Sequence, residues 1–287
     1  MRFAGKGEPV LKLWQAIITG IVYGFADLLP LSGAGHMKIL ERILALPPLG
    51  SSKMLLLNGM LHLGTALAVI VSLHRYISFR PLPTQRIRQS DRRQRRISPG
   101  HRLVQLIFVG ALPALLGLLV HDKVTIVSDH LSWVGGMLIV NGLILFFAAR
   151  YAYGSRDEKD ATIADALLIG LSQVLAVVPG ISRIGVTATV GMWRDLKAEF
   201  AVVFAYLLSV PVSIGIAVMN ITQGVQLGGI TSADLPMCLV AMAAAALSGY
   251  AAVQATRLTA WKNSFGKFAY VSWSVGIIAL ALVLFFA

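Results

Sequence analysis

The stretch AIITGIVYGFADLLPLSGAGH (16–36) begins as an apolar helix and ends in a proline, glycines, a serine and a histidine. An acid, Asp27, lies inside the apolar part. Proline removes a backbone donor and glycine permits tight turns, so we expect the helix to break near Pro30. Broken backbone would be unpaired against lipid, but it is tolerated when buried in protein or lining a wet cavity. The stretch therefore predicts a re-entrant helix.

The whole chain has the composition of a polytopic membrane protein. Of its 287 residues, 56% are hydrophobic and 13% are charged, whereas a soluble domain is about 25% charged. A span needs about 20 mostly apolar residues. The predicted spans are 54–74, 103–120, 131–150, 199–219, 236–255 and 269–287. We expect no cleaved signal peptide, and we expect the single cysteine, Cys238, to be a packing residue.

A second stretch, ALLIGLSQVLAVVPGISRIGVT (166–187), aligns loosely with the first. Both have an alanine, a glycine four residues later, and then a proline and a serine before another glycine. The apolar runs 11–29 and 161–178 lead into these motifs, and second short helices are predicted at 37–46 and 187–196. We therefore predict an all-α polytopic membrane protein with about six full spans and two re-entrant helix pairs.

Loop charge predicts how the two re-entrant helix pairs, called hairpins below, are oriented. Residues 75–102 contain nine arginines and one aspartate. Residues 85–102 have no aromatic side chains to stack bases, so a cytoplasmic loop facing anionic lipid is favoured over a nucleic-acid partner. Loops 121–130 and 220–235 carry little net charge and are expected outside. The hairpins then open to opposite sides, as in an inverted repeat whose broken helices meet near the midplane.

The predicted organisation is a single integral membrane domain, 1–287. Residues 11–120 form the first repeat with its re-entrant pair, and 121–160 form a connecting span with loops. Residues 161–287 form the second repeat with the C-terminal spans.

The polar groups at the two breaks are predicted to form one phosphate-binding pocket. Arg183 lies in an apolar turn and needs an anionic partner, for which a phosphate and Asp27 are the two candidates. Backbone amides at a glycine-rich turn that leads into a helix bind anions. Ser182 and Thr187 add hydroxyl donors. His36 is a general acid, a nucleophile or a hydrogen-bonded structural residue.

Three further polar residues have more modest expectations. Tyr23 lies four residues before Asp27, on the same helical face, and is either part of the site or an interfacial aromatic. His62 lies within a span and is expected to be a packing residue. Asp165 is expected to be solvated near an interface.

The two motifs resemble those of a known family. YGFADLLPLSGAGH (23–36) and PGISRIGVT (179–187) are similar to EGxxEFLPISSTGH and PGxSRSGxT of the bacitracin-resistance family of undecaprenyl-diphosphate phosphatases. The resemblance covers nearly the whole chain. It implies an inverted repeat with two re-entrant helix pairs in the bacterial inner membrane. It also implies hydrolysis of undecaprenyl diphosphate to undecaprenyl phosphate, which recycles the carrier lipid for cell-wall synthesis.

The resemblance also implies roles for individual residues. The implied catalytic residues are Asp27, His36 and Arg183, and Asp27 is the candidate ligand of Mg²⁺ or Ca²⁺. The implied substrate-binding residues are Tyr23, Ser32, Gly33, Gly35, Ser182, Gly185 and Thr187. The chain departs from the motifs at four positions, where an acid, a serine, a threonine and a serine are replaced by Tyr23, Gly33, Ala34 and Ile184.

These departures leave three functions open, of which the least specific is a membrane scaffold that has lost ligand binding. The first is the phosphatase. The second is a non-hydrolytic relative that binds a polyprenyl phosphate or diphosphate and carries it across the bilayer, because phosphate-binding groups are kept while an acid and a serine are lost. A second carboxylate near Asp27 would favour the enzyme, and Glu41 is the nearest unused acid. The sequence leaves a homodimer open.

Overall fold

The computed structural model describes residues 11–48, 50–74, 99–114, 117, 130–150, 153–262 and 264–286. The described residues form helices and no β-strand, which confirms the all-α class. The helices are α1 (Leu13–Leu28), α2 (Gly33–Ile43), α3 (Ser52–Ser72), α4 (Pro99–Ala111), α5 (Leu131–Arg150), α6 (Ile163–Ser172), α7 (Arg183–Trp193), α8 (Ala198–Leu227), α9 (Asp234–Trp261) and α10 (Phe268–Phe286). Short 3₁₀ helices lie at Glu158–Asp160, Gln173–Val177 and Phe265–Lys267.

Five of the described helices are long and apolar enough to cross a bilayer, as a multi-pass membrane protein requires. They are Ser52–Ser72, Leu131–Ala148, Ala198–Leu227, Asp234–Trp261 and Phe265–Phe285. Each coincides with a predicted span, although α8 and α9 are longer than expected and leave only 228–233 between them. The remaining predicted span, 103–120, lies partly outside the described residues, as do most of the basic loop 75–102 and of loop 121–130.

Both predicted helix breaks occur. α1 ends at Leu28 and α2 begins at Gly33, while the second break lies between the 3₁₀ helix Gln173–Val177 and α7. The expected starts of α2 at 37 and of α7 at 187 are wrong by four residues, so the motif residues lie in the first turns of these helices. The cause is a serine cap at each start. Ser32 and Ser182 each accept a hydrogen bond from the amide of a glycine three residues later.

The tips of the two hairpins contact each other, as the sequence predicts. The amide of Gly180 donates to Ser32 Oγ at 3.0 Å. Asn141 of α5 is fully buried between the tips, where its Nδ2 donates to Pro30 O at 3.0 Å and its Oδ1 accepts from Ser182 N at 2.9 Å. One asparagine side chain thus pairs backbone groups that both breaks leave without a helical partner. The symmetry of the inverted repeat stays a prediction.

Small residues set the distance between α1 and α9, which pack along each other. A Cβ atom on Gly20 would collide with the carbonyl oxygen of Ala241, and one on Gly24 would collide with that of Ala245. The two glycines are four residues apart on one face of α1, the spacing that lets membrane helices approach closely. This contact holds α1, and with it Tyr23 and Asp27, against the rest of the bundle.

The expectation that Asp165 is solvated is wrong. Asp165 is 1% exposed in the first turn of α6. Its carboxylate accepts hydrogen bonds from Arg156 at 2.6 Å and from Arg194 Nε at 2.8 Å. A buried carboxylate is retained when it is paired in this way. Because Arg156 precedes α6 and Arg194 follows α7, the cluster ties together the two ends of the second hairpin.

We expect Gly24→Ala to destabilise the protein, because the added Cβ meets the backbone of α9 and cannot be relieved by a side-chain rotation. The melting temperature in detergent should fall by several degrees, as is usual when about 1–3 kcal/mol is lost to overpacking. Gly136→Ala in α5 is the matched control, since no atom lies within 4 Å of its added Cβ. Equal melting temperatures for the two variants would contradict the close packing of α1 on α9.

Candidate active site

A cavity of about 170 Å³ lies where the two hairpin tips meet α3 and α8. Its wall is mixed, with apolar side chains from α8 and from the second hairpin. Its polar lining residues are Tyr23, Asp27, Ser32, Asn58, His62, Gln173, Arg183 and Asn220. Polar side chains within apolar segments are costly in a membrane protein and mark a site. The cavity is therefore the candidate site of the chemistry.

The sequence left two anionic partners open for Arg183, and the structure places Asp27 against it. Nη2 of Arg183 lies 3.3 Å from both carboxylate oxygens of Asp27 and donates to Ser213 Oγ at 2.9 Å. Each of the two charged side chains is 9% exposed. Since one nitrogen serves both oxygens, the contact is not the two-bond fork that a guanidinium forms with a carboxylate at full strength.

Two side chains on the cavity wall carry buried polar atoms with no hydrogen-bond partner among the described residues. They are Nε of Arg183 and both the oxygen and the nitrogen of the Gln173 side chain. Gln173 is 4% exposed and lies in the 3₁₀ helix that precedes the second break. An unmade hydrogen bond at a buried group costs about 1–3 kcal/mol. Both residues line the cavity, and unpaired donors are the groups that a bound anion or water would pair.

The turn after α1 is strained and closely packed. Ser32 has φ of 73°, a left-handed conformation that costs a non-glycine residue energy and that recurs at functional sites. Its hydroxyl accepts from two backbone amides, those of Gly35 and Gly180. Gly33 lies against Asp27, and a Cβ atom there would be 2.8 Å from Asp27 Cβ. The serine of the family motif therefore does not fit at position 33 unless Asp27 moves.

Five of the predicted site residues lie behind the cavity rather than on its wall. Nδ1 of His36 lies 2.8 Å from the carbonyl oxygen of Ser32, one turn earlier in the same helix. Thr187 donates to the carbonyl oxygen of Arg183 at 2.6 Å. Ser182 caps α7, and Gly35 and Gly185 donate the amides that complete the two caps. These residues hold the turns in shape, and their roles in chemistry stay predictions.

Sequence reasoning missed part of the wall. Asn58 and His62 of α3, Gln173, and Asn220 of α8 line the cavity. His62, which was expected to pack in the core, contacts Tyr23, whose hydroxyl lies 2.9 Å from His62 Nε2. The available signal was a polar side chain inside a predicted span, with Asn58 and His62 four residues apart on one face of α3.

The donor set does not fit a resident divalent cation. Among the described residues, Asp27 is the one acid on the cavity wall, and it is paired with Arg183. Glu41 does not supply a second carboxylate, because it pairs with Lys38 at 3.1 Å. The described part of the chain contains no group of three or more His, Cys, Asp or Glu residues that could hold a metal ion. The expected Mg²⁺ or Ca²⁺ at Asp27 stays a prediction.

Comparison with known proteins identifies the family. The profile of the family described as bacitracin resistance protein BacA matches residues 16–278. The chain belongs to this family. Among the relatives of this BacA-family chain is the undecaprenyl-diphosphatase of Carboxydothermus hydrogenoformans, which is 34% identical over 95% of this chain and 98% of that protein.

Other relatives of this BacA-family chain are also undecaprenyl-diphosphatases. The undecaprenyl-diphosphatase 3 of Bacillus cereus is 32% identical over 93% of this chain and 96% of that protein. The undecaprenyl-diphosphatase of the more distant Methanosphaera stadtmanae is 28% identical over 95% of this chain and 99% of that protein. The family match, over residues 16–278, covers both motifs and every residue of the cavity wall.

We expect Gln173→Met to separate stability from ligand binding. Methionine has a similar length and no unpaired donor, so the melting temperature of the ligand-free protein should stay the same or rise. The affinity for a prenyl diphosphate should fall, because a donor to the phosphate is lost. Gln226→Met, at an exposed position in the last turn of α8, is the control. A variant that is destabilised and binds normally would give Gln173 a structural role instead.

Proposed function

We propose that the protein hydrolyses undecaprenyl diphosphate to undecaprenyl phosphate and inorganic phosphate, recycling the carrier lipid for cell-wall synthesis. The observation that carries the proposal is the partly unpaired guanidinium of Arg183 in a polar cavity of an otherwise apolar bundle. The names of the relatives support the same substrate. The proposed location is the bacterial plasma membrane, with loop 75–102 on the cytoplasmic side.

Binding of the diphosphate follows from the donors on the wall. Arg183 and Gln173 both line the cavity, and Nε of Arg183 and the amide nitrogen of Gln173 are buried with no hydrogen-bond partner among the described residues. A phosphate oxygen pairs each of them without breaking a hydrogen bond within the protein. The positive charge of Arg183 is already matched by Asp27 at 3.3 Å, so a diphosphate that enters competes with that carboxylate. The guanidinium then lies between two anions, and the long contact to Asp27 lets it shift toward the phosphate.

The same groups act on the reaction. Hydrolysis adds water to the terminal phosphorus, breaks the bond from that phosphorus to the bridging oxygen, and releases the lipid phosphate as the leaving group. Negative charge moves onto the bridging oxygen as this bond breaks. Fixed donors in a cavity of low dielectric stabilise that charge more than water does. Arg183 is held from behind by Ser213, so it is oriented before the substrate binds.

The alternative function is binding and transport of a polyprenyl phosphate without hydrolysis. One observation favours it, namely that Asp27 is the one carboxylate on the described cavity wall and that position 33 has no hydroxyl. The meeting of two broken helices inside the bundle is also an arrangement that transporters use. The two functions differ in one measurable product, inorganic phosphate.

The test is phosphate release from undecaprenyl diphosphate by the purified protein in detergent. We expect turnover by the unaltered protein and a fall in kcat/KM of about 100-fold or more for Arg183→Lys, because lysine cannot reproduce the planar donors. Arg42→Lys, at an exposed position in the last turn of α2, is the matched control. Parallel reactions with EDTA, Mg²⁺ and Ca²⁺ measure the cation requirement.

One outcome would contradict the phosphatase, and another would contradict its placement in this cavity. Lipid that binds in an Arg183-dependent manner with no phosphate released would support the transporter, which vesicle-based transport would then test. Release that is equal in Arg183→Lys and in Arg42→Lys would remove the chemistry from this cavity. The implied role of His36 is tested with His36→Ala in the same assay.

A further inference from the structure

Tyr23 and His62 form a buried pair on the cavity wall. The Tyr23 hydroxyl lies 2.9 Å from His62 Nε2 and 3.2 Å from His62 Nδ1, and the two rings meet edge to face with their centres 5.5 Å apart. Tyr23 is 1% exposed and His62 is 8% exposed. The pair joins α1 to α3 and borders the same cavity as Asp27 and Arg183. The cavity wall thus contains a phenol and an imidazole that are hydrogen-bonded to each other.

The hydrolysis needs a group that takes a proton from the attacking water. Among the described residues of the wall, the titratable or charged groups are Tyr23 and Asp27 of α1, His62 of α3, and Arg183 of α7. Helix α8 contributes the neutral Asn220, and α9 contributes no residue to the wall. Arginine does not give up its proton in proteins, so it is not a base. The choice lies between Asp27 and the Tyr23–His62 pair.

Asp27 is the poorer acceptor in this chain. Both oxygens of its carboxylate lie 3.3 Å from Nη2 of Arg183, so the guanidinium already occupies them. The described hydrogen-bond partner of the His62 ring is the Tyr23 hydroxyl, and histidine is the side chain used most often as a general base. The Tyr23 hydroxyl can donate to His62 while its oxygen accepts from a water in the cavity.

We propose that His62, acting through or beside Tyr23, is the general base of the hydrolysis. This inference rests on the proposed phosphatase function. As the water oxygen bonds to the terminal phosphorus, one water proton passes to His62, either directly or by a relay in which Tyr23 gives its proton to His62 and receives the water proton. The bond from phosphorus to the bridging oxygen breaks, and the lipid phosphate leaves with that electron pair. The imidazolium then returns its proton to water, which completes the balance.

The proposal also accounts for the motif position that Tyr23 occupies. A carboxylate there would be a base in its own right, whereas a phenol at neutral pH is protonated and can only transfer a proton onward. The partner that receives it must lie within hydrogen-bond reach, and His62 does. The Tyr23–His62 pair accepts the proton that a second carboxylate would accept, and it adds no negative charge to a cavity that binds a diphosphate.

The test compares the pH dependence of kcat/KM for the full-length protein with that of His62→Gln. Glutamine can keep the hydrogen bond to Tyr23, so the variant should fold. We expect kcat to fall about 10²–10⁴-fold, the usual contribution of general acid–base catalysis. The unaltered protein should lose activity as pH falls, because a protonated His62 cannot act as a base, and the residual activity of His62→Gln should lack this loss. Tyr23→Phe should keep the loss at low pH and have a smaller fall in rate.

Two controls keep the test decisive. His74→Gln makes the same substitution at an exposed position at the end of α3, and it should leave the rate and the pH profile unchanged. Binding of a non-hydrolysable methylene analogue of a prenyl diphosphate and elution as a single species from a sizing column confirm that His62→Gln is folded. A variant that fails these checks is replaced by His62→Asn, which is read by the same pH profile.

Three outcomes are distinguishable. A rate loss in His62→Gln with normal binding and no acidic loss of activity supports the inference. Full activity, or an unchanged acidic loss of activity, in folded His62→Gln overturns the inference and leaves the phosphatase intact. No phosphate release by the unaltered protein overturns both.

Discussion

The buried pair between Asp27 and Arg183 is the contact on which the rest of the site depends. Each charge lies at a helix break in an apolar segment, where an unpaired ion would cost several kcal/mol or more. Their pairing offsets the free-energy cost of burying both charges where the two hairpins meet. The neighbouring contacts, from Gly180 to Ser32 and from Asn141 to Pro30 and Ser182, pair backbone groups that the breaks set free. Fold and site therefore depend on the same few atoms.

The geometry of this pair also explains why it can open to a ligand. A guanidinium that met the carboxylate with two short parallel bonds would be saturated and rigid. Here one nitrogen lies 3.3 Å from both oxygens, and Nε has no partner in the described part of the chain. The arginine is held in place by Ser213 and still has donors for an anion. Asp27 thus acts as the counterion of Arg183 before an anionic ligand binds.

Two of the four departures from the family motifs, Tyr23 and Gly33, lie against other polar residues of the site. Gly33 replaces a serine, and it is also the residue whose Cβ would collide with Asp27. Tyr23 replaces an acid, and its hydroxyl contacts His62. At these two positions the residue present thus fits its neighbours, since glycine leaves room for Asp27 and the tyrosine hydroxyl meets His62. The loss of an acid and a serine from the motif argues against catalysis when each position is considered alone. The contacts of Tyr23 and Gly33 show that the site contains a different set of polar groups, which includes His62.

The sequence predicted the two helix breaks and their contact, and it named Asp27 as one of two possible partners of Arg183. These predictions were possible because proline, glycine and charged residues within apolar runs carry large free-energy costs that a local stretch of sequence reveals. It did not predict Gln173, Asn141 or His62 as parts of the site. An isolated polar residue in a span does not reveal which face it occupies, since that depends on how α3, α5 and α8 pack. The prediction that Asp165 is solvated was wrong for the same reason, because its arginine partners lie 9 and 29 residues away in the chain.

The most direct measurement is an experimental structure of the protein with a methylene diphosphonate analogue of a prenyl diphosphate. The account predicts phosphonate oxygens within hydrogen-bond distance of Arg183 Nε and the Gln173 side chain, in the cavity between the two hairpin tips. The chain has another cavity, lined by Gln254, Arg257 and Trp261 near the end of α9. A diphosphonate bound there, with the Asp27–Arg183 pair and its cavity unchanged, would contradict the account.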